Sequence, residues 1–243
     1  MNYCVVIPSR TVENMQACIA SLRQAGEKCP VIVVWDFGKA RTWPDEVRPI
    51  PSAGDPETWC EEGQHPFCFA QACNIGIRQA QKMFPGFDVV LMNDDILMET
   101  PRGLAELSVQ WLDYAVVSPL VRGPAMPQHQ LTGRQAAEIQ NVAWVPFACV
   151  YIRRAALEAI GLLDEQFRPG GYEDNDWCRR ARSAGFLVGV YHGVVVDHQT
   201  LPHTFRSASS DRYDLPVNRA RYIAKWGDAG GNVYTIAKRS FGA

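Results

Sequence analysis

The run Asp88-Val-Val-Leu-Met-Asn-Asp-Asp-Ile96 constrains this chain more than any other stretch. Val89 to Met92 are apolar and lead directly into Asn93, Asp94 and Asp95. A short apolar run of this kind reads as a buried strand. Its terminal polar residues then sit where the strand leaves the sheet, and in open α/β sheets ligands bind outside the carboxyl ends of strands. Two adjacent carboxylates there repel each other unless a cation or a donor-rich ligand offsets their charge. Oxygen ligands suit Mg²⁺ or Mn²⁺, typically held by one or two carboxylates together with substrate phosphates. On residue type alone the stretch also fits a strand-to-loop turn, where Asn and Asp are common.

The surrounding pattern is α/β. Residues 3–7 read as a strand stopped by Pro8, residues 12–25 carry apolar side chains at helical spacing, and residues 31–35 read as a second buried strand ending at Asp36. Such a strand–helix–strand start predicts parallel strands joined by a right-handed crossover. Residues 39–66 hold five prolines and read as a long loop, the kind that is often functional. Helices are expected at 67–84, weakened locally by Gly76, and at 101–113, with a strand at 115–118. After a Gly- and Pro-rich loop at 122–134, residues 138–145 alternate weakly as a strand. Residues 153–160 and 171–182 read as helices. The last two strands are expected at 187–191 and 194–196, the second leading into Asp197 and His198.

Composition narrows the class. Of 243 residues, 47% are hydrophobic and 21% charged, which is ordinary for a globular protein. No apolar run reaches the roughly 18–20 residues needed to span a bilayer. The N-terminus has no basic segment followed by a long apolar one, so it does not read as a signal peptide. Eight cysteines are scattered without a Cys-x-x-Cys pair, which points to buried, reduced thiols and a cytoplasmic location. The net charge of −2 is uneven: seven Lys or Arg and three Asp from Leu201 onward give +4, leaving −6 on the first 200 residues. A basic C-terminal segment suits either an anionic partner or an ordinary solvated helix face.

A second acidic cluster lies in Tyr172-Glu-Asp-Asn-Asp-Trp-Cys-Arg-Arg-Ala. Trp177, Cys178, Ala181 and Ala184 form an apolar stripe, and Glu173 and Asp174 lie one turn before it. Both carboxylates therefore point inward at a helix N-terminus. Asp176 makes an ordinary i, i+4 pair with Arg180. Acids at a helix start also simply complement its dipole, which accounts for Asp176 better than for the inward pair. A carboxylate kept ionised at such a place can accept a proton from an incoming hydroxyl. A metal-binding acidic pair elsewhere can stabilise a phosphate leaving group.

These features together resemble the family 2 glycosyltransferases of GT-A fold, from Val5 to about His198. Val5-Val-Ile-Pro-Ser9 resembles the first strand and nucleotide-binding turn of that family, and Val31-Ile-Val-Val-Trp-Asp36 its second strand. Phe69-Ala-Gln-Ala-Cys-Asn-Ile-Gly76 is similar to the segment bordering the donor pocket. Asn93-Asp94-Asp95 falls at the family's Asp-x-Asp motif, with Asn93 in place of the first acid. Phe147 to Arg154, Gly161-Leu-Leu-Asp164 and Gly171-Tyr-Glu-Asp-Asn-Asp176 resemble the acceptor-side block. The resemblance implies a Rossmann-like, mixed and mainly parallel sheet flanked by helices, with a short helical C-terminal extension. It implies a glycosyltransferase domain at 1–200, with donor half 1–120 and acceptor half 121–200, and a basic extension at 201–243.

The resemblance further implies a metal-dependent, inverting transfer of a hexosyl or related group from a nucleotide-sugar donor. Pro8, Ser9, Arg10, Asp36, Asn74, Asn93 and Asp94 would line the donor site. Asp95 and His198 would hold Mn²⁺ or Mg²⁺, and Asp174, paired with Glu173, would act as general base. The acceptor hydroxyl is expected on a glycan or polysaccharide precursor. A hydroxymethylated base of modified DNA, flipped out of its duplex, and a catalytically silent sugar-binding module of the same fold are the alternatives.

Overall fold

The computed structural model describes residues 2–35, 47–51, 68–108, 113–123, 138–202 and 215–227. Asp36 lies outside them, as does most of the long loop expected at 39–66. The strands are β1 (Tyr3–Ser9), β2 (Val31–Trp35), β3 (Val47–Pro51), β4 (Asp88–Met92), β5 (Leu97–Met98), β6 (Tyr114–Arg122), β7 (Ile139–Asn141), β8 (Cys149–Ile152) and β9 (Leu187–Asp197). They form one sheet in the order β3-β2-β1-β4-β8-β6-β9-β5, with β7 also paired to β9. β3, β2, β1, β4, β6 and β9 run one way and β8, β5 and β7 the other. The sheet is therefore mixed and mainly parallel, as the sequence implies.

Helices α1 (Val12–Gln24), α2 (Phe69–Met83), α3 (Gly103–Leu107), α4 (Arg154–Ile160), α5 (Glu173–Ser183) and α6 (Leu215–Trp226) cover both faces. In β1, Tyr3, Val5 and Ile7 face the layer of α1 and α3, while Cys4 and Val6 face α2 and α5. This two-sided burial explains why β1 and β2 read as continuous apolar runs. The parallel register Val6 opposite Leu91 brings the carboxyl ends of β1 and β4 out at the same sheet edge. Gly76 of α2 lies so close to β1 that a Cβ there would stand 2.2 Å from Val6. The glycine weakens the helix but allows the helix–sheet approach that seats it.

Four sequence expectations need correction. The proline-rich 39–66 region contains β3, an edge strand parallel to β2; prolines are tolerated at edges, where a missing N–H leaves no ladder bond unmade. The helix expected at 101–113 is the short α3, and residues 109–112 lie outside the described set. The weak alternation at 138–145 yields only β7. The two final strands are one strand, β9, whose pairing with β6 steps from Pro119↔Tyr191 to Leu120↔Val195. That bulge carries the apolar gap at His192 and Gly193 that read as a break.

Among the described residues no helix is long and apolar enough to cross a membrane. The seven described cysteines are buried and free of disulfides.

Candidate functional site

The Asn93-Asp94-Asp95 turn follows β4, and each of its residues is held differently. Asp94, fully buried, accepts a 2.8 Å hydrogen bond from Ser9 Oγ and a 3.1 Å bond from the Arg10 backbone N–H, both at Oδ2. It lashes the turn after β1 to the turn after β4. Asn93 donates its backbone N–H to Ala148 O at 2.8 Å, while its side-chain Oδ1 is buried without a hydrogen-bond partner. Asp95, 2% exposed, has Oδ1 3.1 Å from His198 Nε2.

That last contact follows from topology. β5 starts two residues after Asp95 and runs antiparallel to β9, with Leu97 opposite Asp197. The pairing sets Asp95 beside His198. His198 donates its backbone N–H to Arg122 O at 2.7 Å, and a Cβ on Gly123 would stand 2.9 Å from the His198 carbonyl oxygen. Asp197 closes the turn below it by accepting the backbone N–H groups of Gln199 and Thr200 at 2.8 and 2.9 Å. Burial pushes the Asp197 carboxyl up, but these bonds and the two side chains outweigh it and hold the group below its ordinary range. Asn14 of α1 pins the following chain through Pro202 O at 2.8 Å.

The Asp95–His198 pair fits a hard divalent cation. Adjacent octahedral ligands 2.0–2.1 Å from an ion such as Mg²⁺ are about 3 Å apart, close to the observed separation. No cluster of three or more His, Cys, Asp or Glu suited to a metal occurs among the described residues. A cation held here would take its remaining ligands from phosphate oxygens and water, the usual arrangement for Mg²⁺ at phosphate sites.

The second acidic cluster is buried as its pattern implies. Glu173 and Asp174 are 3% and 9% exposed at the start of α5. They follow Gly171 and Tyr172, both in the left-handed region, with φ of 94° and 76°. A bulky residue there is strained, as happens at functional sites. Tyr172 is held there with its ring against Tyr222 of α6, centroids 5.5 Å apart.

Burial pushes the Asp174 carboxyl up to about 6, although the N–H groups of Asn175, Asp174 and Phe147 favour its ionised form. Glu173 is driven well above the carboxylate range by burial and then by the Asp174 charge. Both acids therefore hold their protons more tightly than exposed carboxylates, and Asp174 has three N–H groups beside it to favour its ionised form. Glu173 Oε2 has no hydrogen-bond partner.

Phe147 and Ala148, adjacent residues of the stretch that resembles the acceptor-side block, join the clusters. Ala148 accepts the Asn93 N–H, and the Phe147 N–H bonds Asp174. One dipeptide therefore spans from the Asp-rich turn to the acid pair. The Phe147 ring packs edge-on against Trp177 of α5, 5.8 Å between centroids, and the Trp177 indole N–H bonds Gly161 O at 2.9 Å. Trp177 and Trp144 are core residues, at 0% and 5% exposure.

Asn74, expected beside the donor, engages its amide elsewhere. It donates to Leu163 O and Glu165 Oε1, both at 2.9 Å, and accepts the Leu163 N–H at 3.0 Å. It fixes the segment leading into the acid pair.

Asp176 does more than pair with Arg180, which it meets at 2.9 Å. Fully buried, it also accepts from the Trp226 indole N–H at 2.9 Å and faces Lys225 Nζ at 2.8 Å. Arg179 stacks on Trp226 with its guanidinium 4.6 Å from the ring centroid. Asn218 donates to Gly170 O at 2.9 Å, and Arg221 to Arg168 O at 3.2 Å. Helix α6 thus braces the loop that presents Glu173 and Asp174, and turns Lys225 and Arg221 toward the protein. The resemblance implied a short helical C-terminal extension without showing what it contacts.

No family model matches the chain. A curated relative from Sinorhizobium fredii, described as "Uncharacterized protein y4gI", is 35% identical over 83 residues; the match covers 34% of this chain and 8% of the relative. Among solved structures, GalNAc-T7 with UDP, GalNAc and Mn²⁺ aligns at TM-score 0.66 and 13% identity, over 97% of this chain and 50% of that one. The catalytic domain of Drosophila beta1,4-galactosyltransferase 7 with xylobiose aligns at 0.54 and 14%, over 89% and 79%. A Pyrobaculum calidifontis mannosyltransferase with GDP-Man and Mn²⁺ aligns at 0.56 and 12%, over 100% and 76%. The fold is GT-A. The chain spans half the length of the first of these structures and far less of the curated relative.

Proposed function

We propose that the chain is a metal-dependent inverting glycosyltransferase of family 2 type, moving a sugar from a nucleotide diphosphate sugar to a glycan or polysaccharide-precursor hydroxyl. One observation carries the reading. The turn that carries Asp95, which meets His198, is bonded through the Asn93 N–H to Ala148 O, and Asp174 is bonded by the N–H of the preceding Phe147. Each cluster alone has a structural explanation. Together they supply a phosphate-side cation site and a proton acceptor joined through one dipeptide. The Mn²⁺ and nucleotide ligands of two fold neighbours support the donor class.

Asp95 and His198 would hold Mn²⁺ or Mg²⁺, which when bound offsets charge on the departing diphosphate. Asp94 fixes the turn of Ser9 and Arg10, whose backbone, following Pro8, would line the nucleotide. Asp174, ionised above about pH 6, takes the proton from the acceptor hydroxyl. The acceptor oxygen forms its bond to the anomeric carbon as the bond to the diphosphate oxygen breaks, and the electron pair leaves with the diphosphate. Protonated Glu173 keeps a second charge away from Asp174. The buried, free cysteines support a reducing, cytoplasmic setting.

The test is a panel of UDP-, GDP- and dTDP-sugars with Mn²⁺, read by nucleotide release and thermal shift. One donor should turn over slowly in water, and EDTA should stop it. Absence of both turnover and any Mn²⁺-dependent shift across the panel would contradict the proposal.

A further inference from the structure

Most fully buried asparagines in this protein use their amides to bind the chain to itself. Asn74 holds residues 163 and 165, Asn14 holds Pro202, and Asn218 holds Gly170 while accepting from Arg221 at 2.7 Å. Asn175 departs from this pattern. It is 2% exposed, yet neither its Nδ2 nor its Oδ1 has a hydrogen-bond partner. A buried polar group left unmatched costs roughly 1–3 kcal/mol, so a retained buried amide implies a partner that arrives with function.

Its position says where that partner lies. Asn175 is in the first turn of α5, directly after Asp174, whose Oδ1 accepts the Asn175 backbone N–H at 2.7 Å. Cα–Cβ bonds of a helix tilt toward its N-terminus, so the side chains of residues 173–175 lean past the helix end. Successive residues step about 100° around a helix, which sets Glu173 and Asn175 on opposite flanks of Asp174. Glu173 Oε2, in the same turn of α5, is also unmatched, as is Asn93 Oδ1 in the turn after β4.

Building on the transfer reading above, we propose that Asn175 is the acceptor-reading residue, and that the acceptor is a sugar carrying a hydroxyl vicinal to the reacting one. An amide offers one donor group and one acceptor. A hydroxyl next to the reacting one also donates and accepts, so it can match both groups of the amide. A lone hydroxymethyl group on a nucleobase has no such neighbour.

The experiment uses the full chain, Mn²⁺ and the nucleotide sugar that wild type hydrolyses. The acceptors are methyl gluco-, galacto- and mannopyranosides, their monodeoxy analogues, and 5-hydroxymethylcytidine. Wild type should be accelerated by at least one glycoside and lose about 100-fold or more in kcat/KM when the neighbouring hydroxyl is removed. Asn175→Leu, of similar volume, should lose acceptor kcat/KM by a similar factor and no longer distinguish the deoxy analogue. Its thermal midpoint should not fall. Asn175→Asp should keep part of the discrimination.

Retained discrimination in Asn175→Leu, or its clear destabilisation, would overturn the assignment. So would acceleration by 5-hydroxymethylcytidine alone, or by no glycoside. Donor hydrolysis by wild type separates failure of this inference from failure of the transfer reading, which predicts that hydrolysis by itself.

Discussion

The two halves of the site handle their carboxylates in opposite ways. In the turn after β4, Asp94 is met by Ser9 and Arg10 and Asp95 by His198. In the first turn of α5, Glu173 and Asn175 retain unmatched atoms, and burial holds both acids above their ordinary range. The first half is a rigid corner of the sheet, prepared for a charged ligand. The second carries an energetic penalty in the absence of substrate, offset by the α6 brace.

The largest effect that can break this contrast is at Asp174. Asp174→Asn should lower acceptor transfer by about 10²–10⁴-fold, the range for loss of a general base, while leaving Mn²⁺-nucleotide binding intact. The same variant should be more stable than wild type at pH 7. The sign follows from the raised carboxyl. Below about pH 3.8, its ordinary value, Asp174 is protonated folded or unfolded, and no penalty exists. Between there and about 6 the folded state keeps the proton more tightly, so wild-type stability falls as pH rises. Above that range the penalty is complete, and its relief is worth up to about 3 kcal/mol. Thermal melts of both proteins from pH 4 to 8 check this, and kcat/KM of wild type should show an acid limb near 6.

The brace comes next. Asp176→Ala should destabilise by about 3–5 kcal/mol, because Arg180 and Lys225 lose a buried partner. Trp226→Phe, which loses one hydrogen bond to Asp176, should cost about 1 kcal/mol by urea denaturation. If activity falls with Trp226→Phe while the metal-dependent nucleotide shift persists, the brace serves the acid half alone. Equal loss of both would erase the distinction between the halves.

The smallest effect belongs to the turn under His198. Asp197→Ala frees the Gln199 and Thr200 N–H groups and should weaken Mn²⁺ affinity by about 10-fold, at the low end for loss of a ligand-orienting partner. Titration calorimetry with Mn²⁺ and a nucleoside diphosphate reads it.

The sequence exposed the parts of the site whose signals are local. The apolar run of β4 stops abruptly at Asn93, and the stripe of α5 extends one turn back onto Glu173 and Asp174, so both clusters stand out of their own neighbourhoods. His198 was legible as the residue after the last core strand. What stayed hidden depends on distant chain. Asp176 meets Trp226 fifty residues on, and Phe147 and Ala148 matter for their backbone groups, which no side-chain pattern reports. β3 was masked by its own prolines, and the bulge of β9 looked like a gap between two strands. Asn74 and Asn175 differ only in whether their amides find partners, a fact of packing that the residue name does not carry.

The central claim is that Asp95 and His198 form the cation site that binds the donor diphosphate, beside a base that does not. Thermal shift with UDP and GDP, with and without Mn²⁺, tests it most directly in wild type, Asp95→Asn and Asp174→Asn. The account predicts an Mn²⁺-dependent shift in wild type and Asp174→Asn that disappears in Asp95→Asn. A shift that persists in Asp95→Asn, or needs no Mn²⁺ in wild type, would contradict it.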